Sequence, residues 1–472
     1  SLSFNQIITC EKIAMKHSID LTKGNIALEL TRVSIPIMLT MFIQMAYNLT
    51  DMVWIGSIGS GAVAAIGTAG FFIWVGNALT FMPKVGLEVC VAQSVGRKDQ
   101  NDLKLYMANG LLIALSMSVI YSIFTFISAN PLIHFFKLGD NVNHFNPTSA
   151  AISYLRIVST GMIFTFINPC FTAVYNGLGN SKLPFYYNSA GLLINVILDP
   201  LLIFGVWIFP KMGVSGAAIA TVIAQLGVSV LFLFSFRRHF EFIRDYKNFW
   251  TVSKIHLQKI IKIGFPPAAQ SAIFALIAMV IARIIVRWGA VPIAVQRVGS
   301  QIESLSWMTA SGFSTALSAF VGQNYGAGQQ QRIWKGFLTA MYIMGSIGVL
   351  VSLLLILFPE FLFKIFVREP DAIKEGIVYL TILGYSQLFM CLEITTAGAF
   401  NGLGKSLPPS IISVSLNLLR IPSALIFSAI IGLNGIWWSI SGTSILKGII
   451  LVLWFAFYFK KYYLHRDQGI IA

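Results

Sequence analysis

The sequence predicts an all-α polytopic membrane protein: twelve transmembrane helices in two homologous six-helix bundles, related by a pseudo-two-fold axis along the membrane normal. Three observations carry that prediction. Of the 472 residues, 56% are hydrophobic and only 11% are charged, against roughly 25% charged in a soluble domain. Apolar stretches of about 20 residues recur from end to end, each long enough to cross a bilayer as a helix. Short polar motifs then return in the same order in the second half, the signature of a repeated transporter architecture.

In order, the first six spans fall near 34–56, 62–93, 105–129, 150–175, 185–208 and 214–236. The second six fall near 264–288, 292–322, 336–358, 376–400, 409–431 and 435–459. The first span of each half opens on a proline, Pro36 or Pro266. The second span closes on Ala92-Gln-Ser-Val-Gly96, and its counterpart, the eighth, on Val321-Gly-Gln-Asn-Tyr-Gly326. The third and ninth rest on apolar length alone. The fourth and tenth end at one turn motif, Asn176-Gly-Leu-Gly and Asn401-Gly-Leu-Gly. The fifth and eleventh align through Asn195 with Asn417 and Pro200 with Pro422, both 222 positions apart. The sixth begins with small residues up to Thr221, and the twelfth completes the set. The expected division is a cytoplasmic segment 1–32, a lobe 33–236, a charged cytoplasmic linker 237–262, a lobe 263–460 and a cytoplasmic tail 461–472. Met15 reads as a natural beginning, which makes 1–14 an extension.

The net charge of +15 is distributed, not pooled. With a cytoplasmic N-terminus and alternating sides, 21 of the 33 Lys and Arg fall in cytoplasmic segments and five on the opposite side. This is the positive-inside bias, and it places both termini in the cytoplasm. The surplus encodes orientation and contact with anionic lipid, not nucleic-acid binding. Cys10, Cys90, Cys170 and Cys391 form no CxxC pair, so no metal site or disulfide framework is expected. No Walker A sequence occurs, and no resident cofactor is expected.

Acids inside spans carry the chemistry. Gln44, Tyr47, Asn48 and Asp51 share one face of span one by the i, i+3, i+4, i+7 spacing. Asn195 and Asp199 share a face of span five, with Asn188 below them, and Thr221 stands on span six. An acid at mid-bilayer costs roughly 2.5–3.5 kcal/mol on insertion scales, so a membrane helix keeps one for a function. Asp199 aligns with Ile421 and Asp51 with Ile281, so the second half lacks both acids. Paired carboxyls in a dry cavity serve as a proton carrier, or with Asn195, Tyr47 and Thr221 as a cage for Na⁺. Asn168, Asn176, Asn188, Gln270 and Glu393 are further candidates, against a bland reading as hydrogen-bonded packing groups. Pro36 either bends span one or merely starts it. In the second half, Arg297, Glu303, Glu393 and Arg420 either neutralise one another or bind substrate.

Tyr47 with Asp51, Ala92-Gln with Gly96, Asn176-Gly-Leu-Gly, and Asn195 with Asp199-Pro200 together resemble the MATE (multidrug and toxic compound extrusion) transporters, across residues 20–460. The pattern is more similar to the DinF-like subgroup than to the NorM-like one, because span seven offers Gln270 where the latter places an acid. The resemblance implies a monomeric antiporter that exports amphipathic cations against H⁺ or Na⁺ by alternating access, from a cavity between the halves. It implies a coupling site at Gln44, Tyr47, Asp51, Asn195, Asp199 and Thr221, with Pro36 as the bending proline, in a bacterial cytoplasmic membrane. Glu393 departs from that pattern and leaves open a second site. The competing readings are a lipid-linked saccharide flippase of the wider superfamily, a membrane-embedded enzyme, and a channel.

Overall fold

The computed structural model describes residues 19–138, 146–240 and 251–464. These hold twelve long helices: α1 (Ile26–Gly56), α2 (Ser60–Arg97), α3 (Gln100–Ile127), α4 (Pro147–Gly177), α5 (Lys182–Phe204), α6 (Val214–His239), α7 (Lys254–Ile285), α8 (Ala290–Gly326), α9 (Gln330–Leu357), α10 (Pro370–Gly402), α11 (Leu407–Ile431) and α12 (Leu433–Phe459). Eleven are long and apolar enough to cross a membrane. The exception is α8, because Arg297, Glu303 and a run of Ser, Thr and Gln dilute its hydropathy. A helix this polar is tolerated at membrane depth only when its polar groups face protein.

The ends of the helices follow local chemistry. The Asp99 side chain accepts from Asp102 N and caps α3, and Asn146 accepts from Ser149 N and caps α4. After Asn176 and Asn401, Gly179 (φ +79°) and Gly404 (φ +74°) adopt the left-handed conformation that stops α4 and α10. Pro36 lies ten residues inside α1, so it does not start the helix. The linker expected over 237–262 is helical at both ends, since α6 reaches His239 and α7 begins at Lys254. Most of segment 1–32 and of tail 461–472, and the centre of the linker, lie outside the described residues.

The chain forms two compact units that do not follow the linear halves. The first takes Leu39–Ser94 and Asp99–Phe265; the second takes Asp20–Met38, Val95–Lys98 and everything from Pro266 onward. The division therefore passes through α1 just after Pro36 and through α7 at Pro266. Within the first unit, a Cβ on Gly264 would stand 1.8 Å from Met82 O, so only glycine lets α7 lie this close to α2. Within the second, Gly312 plays that part for α1 against Met38.

Each unit repeats one packing scheme. In the first, α4 packs on α3 and α6, and α6 on α5. In the second, α10 packs on α9 and α12, and α12 on α11. Tyr154 and Phe166 lie in the first core, Tyr379 and Trp437 in the second.

Candidate functional site

Helix periodicity places Tyr47 and Asp51 one turn apart on α1, and Asn195 and Asp199 one turn apart on α5. The first unit brings the two pairs together. With its amide oriented to satisfy its neighbours, Asn195 Nδ2 donates to Asp51 Oδ1 (3.1 Å) and to Asp199 Oδ2 (3.0 Å). The two carboxyl groups also lie within hydrogen-bonding reach of each other, and Tyr47 reaches Asp51. The Tyr47 hydroxyl is 3.0 Å from Thr221 Oγ1 on α6, which in turn donates to Ala217 O. Asn195 is fully buried and Asp199 is 1% exposed, while Asp51, Tyr47 and Thr221 are half-buried, so the network is sealed at α5 and partly open at α1 and α6.

Chemically this is a dyad of carboxyls bridged by one amide. Two carboxyl oxygens meet at hydrogen-bond range only with a proton or a cation between them, because both are acceptors once ionised. The pair can hold one positive charge and release it when separated.

The other sequence candidates lie elsewhere. Gln44 is exposed on α1. The side chain of Asn48 lies outside what the structure describes. Asn188 Nδ2 donates to Pro184 O in its own helix. Asn168 is consumed in tying α4 to α6: its Nδ2 donates to Gln225 O and Oε1 (both 2.9 Å), and its Oδ1 accepts from Ser229 (2.7 Å). Asn176 is buried with Oδ1 unpartnered. Gln270 and Glu393 belong to the second unit. There, Glu393 pairs with Lys447 at 3.0 Å and accepts from Ser413 at 2.6 Å. Glu393 therefore finds its counter-ion in Lys447 and not in the arginines the sequence offered.

Tyr154 is the residue the sequence reading missed. It is buried on α4, close enough to interact electrostatically with both Asp51 and Asp199. A signal existed: Tyr154 and Tyr379 stand at the same distance before the two Asn-Gly-Leu-Gly motifs.

The sequence profile of the family described as MatE matches residues 36–201 and 266–426. A Probable multidrug resistance protein NorM of Thermotoga maritima is 28% identical over 438 residues, covering 90% of this chain and 91% of that one. An FAD transporter of Shewanella oneidensis is 24% identical over 457 residues, covering 92% and 95%. Among solved structures, an outward-facing multidrug resistance MATE family transporter of the MOP superfamily superposes with a TM-score of 0.85 at 22% identity, over 94% of this chain and 98% of the other. A MOP superfamily transporter from Pyrococcus furiosus superposes with a TM-score of 0.84 at 22% identity, over 93% and 97%.

Proposed function

The chain belongs to the MatE family, and from that premise we propose that it is a secondary multidrug exporter, driving amphipathic cations outward against H⁺ or Na⁺ by alternating access. It acts as a monomer in a bacterial cytoplasmic membrane with both termini in the cytoplasm, the orientation its cationic bias favours. Relatives named as multidrug resistance proteins support the substrate class.

One observation carries the coupling role: the amide of Asn195 bridges Asp51 and Asp199 in a partly buried network that includes Tyr47 and Thr221. A proton or Na⁺ held by the carboxyls neutralises them. Its departure leaves two like charges side by side in a partly desolvated site, which favours either separation or capture of a cationic drug. One elementary charge falling through 100 mV supplies about 2.3 kcal/mol, enough to drive uphill export. Among the described residues the other lining groups are hydroxyls and amides, which suit either ion. Gln44, Gln270 and Pro36 stand outside this network, with Pro36 the point where α1 can change its bend.

The test is dye export in everted vesicles under an imposed pH gradient and, separately, an imposed sodium gradient. One gradient should drive export. Asp51→Asn and Asp199→Asn should each lower the driven rate by about 100-fold at unchanged expression, the scale of losing a functional buried charge. Wild-type rates in both variants would overturn the reading.

A further inference from the structure

The first helix of each half is preceded by a short polar strap, and the two straps are pinned by different chemistry. At the register that sets Pro36 against Pro266, 230 positions apart, Leu21 matches Thr251 and Asp102 matches Arg332. In the second unit the strap before α1 is tied to α8 and α9. Gln323 Oε1 accepts from Leu21 N (3.1 Å), and Asn324 Nδ2 donates to Leu21 O (3.0 Å). The Arg332 guanidinium donates to the carbonyls of Leu21, Lys23 and Gly24. In the first unit the strap before α7 is tied to α3. Asn109 Nδ2 donates to Thr251 O (3.0 Å), and its Oδ1 accepts from Ser253 N (2.9 Å). One residue pair completes this second fastening: His256 Nε2 lies 3.1 Å from Asp102 Oδ1.

Arginine stays charged at every working pH, so the strap of α1 is held alike in acid and alkali. Imidazole is the side chain whose charge changes between about pH 5 and 8. A carboxylate only accepts, so His256 Nε2 carries the proton it gives to Asp102. His256 Nδ1 is 2.6 Å from Ser253 Oγ. A hydroxyl donates to a neutral Nδ1 and accepts from a protonated one, so both charge states keep both hydrogen bonds. They differ in strength: the imidazolium binds Asp102 as an ion pair, the neutral ring as an ordinary donor. The ring is buried and packs on Tyr106, centroids 4.5 Å apart. Lys259 lies over the same Tyr106 ring at 5.2 Å. Lys104 of α3, Lys254 of α7, and Lys84 and Glu88 of α2 stand on adjoining turns, with α2 reaching α7 where Gly86 meets Ile260. Among the described residues, Asp102 is the acid at ion-pair distance from His256.

The strap fixes the start of a helix that changes units: α7 belongs to the first unit up to Phe265 and to the second from Pro266. We infer that Asp102, His256 and Ser253 are positioning residues, a proton-sensitive fastening of the first turn of α7 that slows the transport cycle when the cytoplasm is acid. Protonation of His256 strengthens the pair, so the fastening is tightest below the titration range of imidazole and loosens as pH rises through it. This rests on the exporter reading, whose orientation puts the start of α7 in the cytoplasm. It deepens that reading by giving the two repeat-related straps different duties: that of α1 is permanent, that of α7 responds to the proton concentration on one side of the membrane.

The test moves absolute pH at a fixed gradient. Dye export is measured in everted vesicles, whose outer face is the cytoplasmic one, from about pH 6 to about pH 8. His256→Gln keeps a hydrogen bond and cannot gain charge. It should export about threefold faster than wild type at the acid end, the scale of one partly exposed ion pair, and at the wild-type rate at the alkaline end. Asp102→Asn should do the same, and the double variant should add nothing. Arg332→Gln is the contrast: its rate relative to wild type should not change with pH. A His256→Gln ratio that is equal at both ends shows a packing role alone and overturns the inference, as does the same pH dependence in Arg332→Gln. A second readout needs no transport. The Ser253 amide donates to Asn109, so hydrogen exchange of the peptide 251–258 in purified protein reports the strap. Wild type should exchange about threefold more slowly than His256→Gln at the acid end and equally at the alkaline end. Equal exchange at both ends overturns the inference. The exchange difference without wild-type export under either gradient sinks the exporter reading instead, so the two failures are distinguishable.

Discussion

α5 in the first unit and α11 in the second are the same helix twice, with opposite charge. Asn195 matches Asn417 and Pro200 matches Pro422, but Asp199 stands where the repeat has Ile421, and Arg420 where the first copy has Leu198. Both charges are buried one turn or less beyond the shared asparagine. The surroundings follow. Asp199 is joined by Asp51 and an amide; Arg420 is held by two hydroxyls of α12. The scaffold of paired helices tolerates either sign, because what a buried charge needs is polar partners from neighbouring helices, and each unit has supplied its own. The two copies share the packing and differ at the charged register.

The largest expected contrast is between the two asparagines. Asn195→Leu removes the bridge between two carboxyls and should cost about 10- to 100-fold in driven dye export, as loss of a network hydrogen bond between charged groups implies. Asn417→Leu deletes a buried Oδ1 that has no partner, so export of the same dye should stay within about threefold. Equal losses would show that the units work alike and would break the comparison. Next comes Glu393→Gln, which strands Lys447 as a lone buried cation. Breaking a buried pair costs roughly 3–5 kcal/mol, so the melting transition in detergent should fall clearly while export drops only partially. Adding Lys447→Met should restore the melt; no recovery would mean that Glu393 acts elsewhere. The smallest effect is Asn188→Ala, since Asn188 bonds only within its own helix. Export should change by less than about twofold, and a large loss would place it in the cation path after all.

Much of this was legible in the chain itself. The positions of twelve helices, the repeat and the polar faces of α1 and α5 follow from hydropathy and the 3.6-residue period, which are properties of neighbours in sequence. The polar character of α8 weakens its signal as a span, yet length and repeat position were enough to assign it. What remained hidden depends on partners far apart in the chain. The sequence alone could not choose among Arg297, Arg420 and Lys447 as counter-ion for Glu393, because none stands at helical spacing from it. The repeat marked Tyr154 as the counterpart of Tyr379, but only the packing of α4 shows that it lies near the two acids.

By itself, then, the sequence determined what the membrane demands: apolar spans of bilayer length, their repeat in two sets, and the placing of two costly acids inside the first set. Only the tertiary structure decided which groups meet. It assigned the first turns of α1 and α7 to units other than those of their later turns, tied Asp51 to Asp199 through one amide, and set Arg420 on two hydroxyls of α12. The reason is physical: the cost of burial is set residue by residue and can be read locally, whereas pairing depends on directions in space that only the packed helices define.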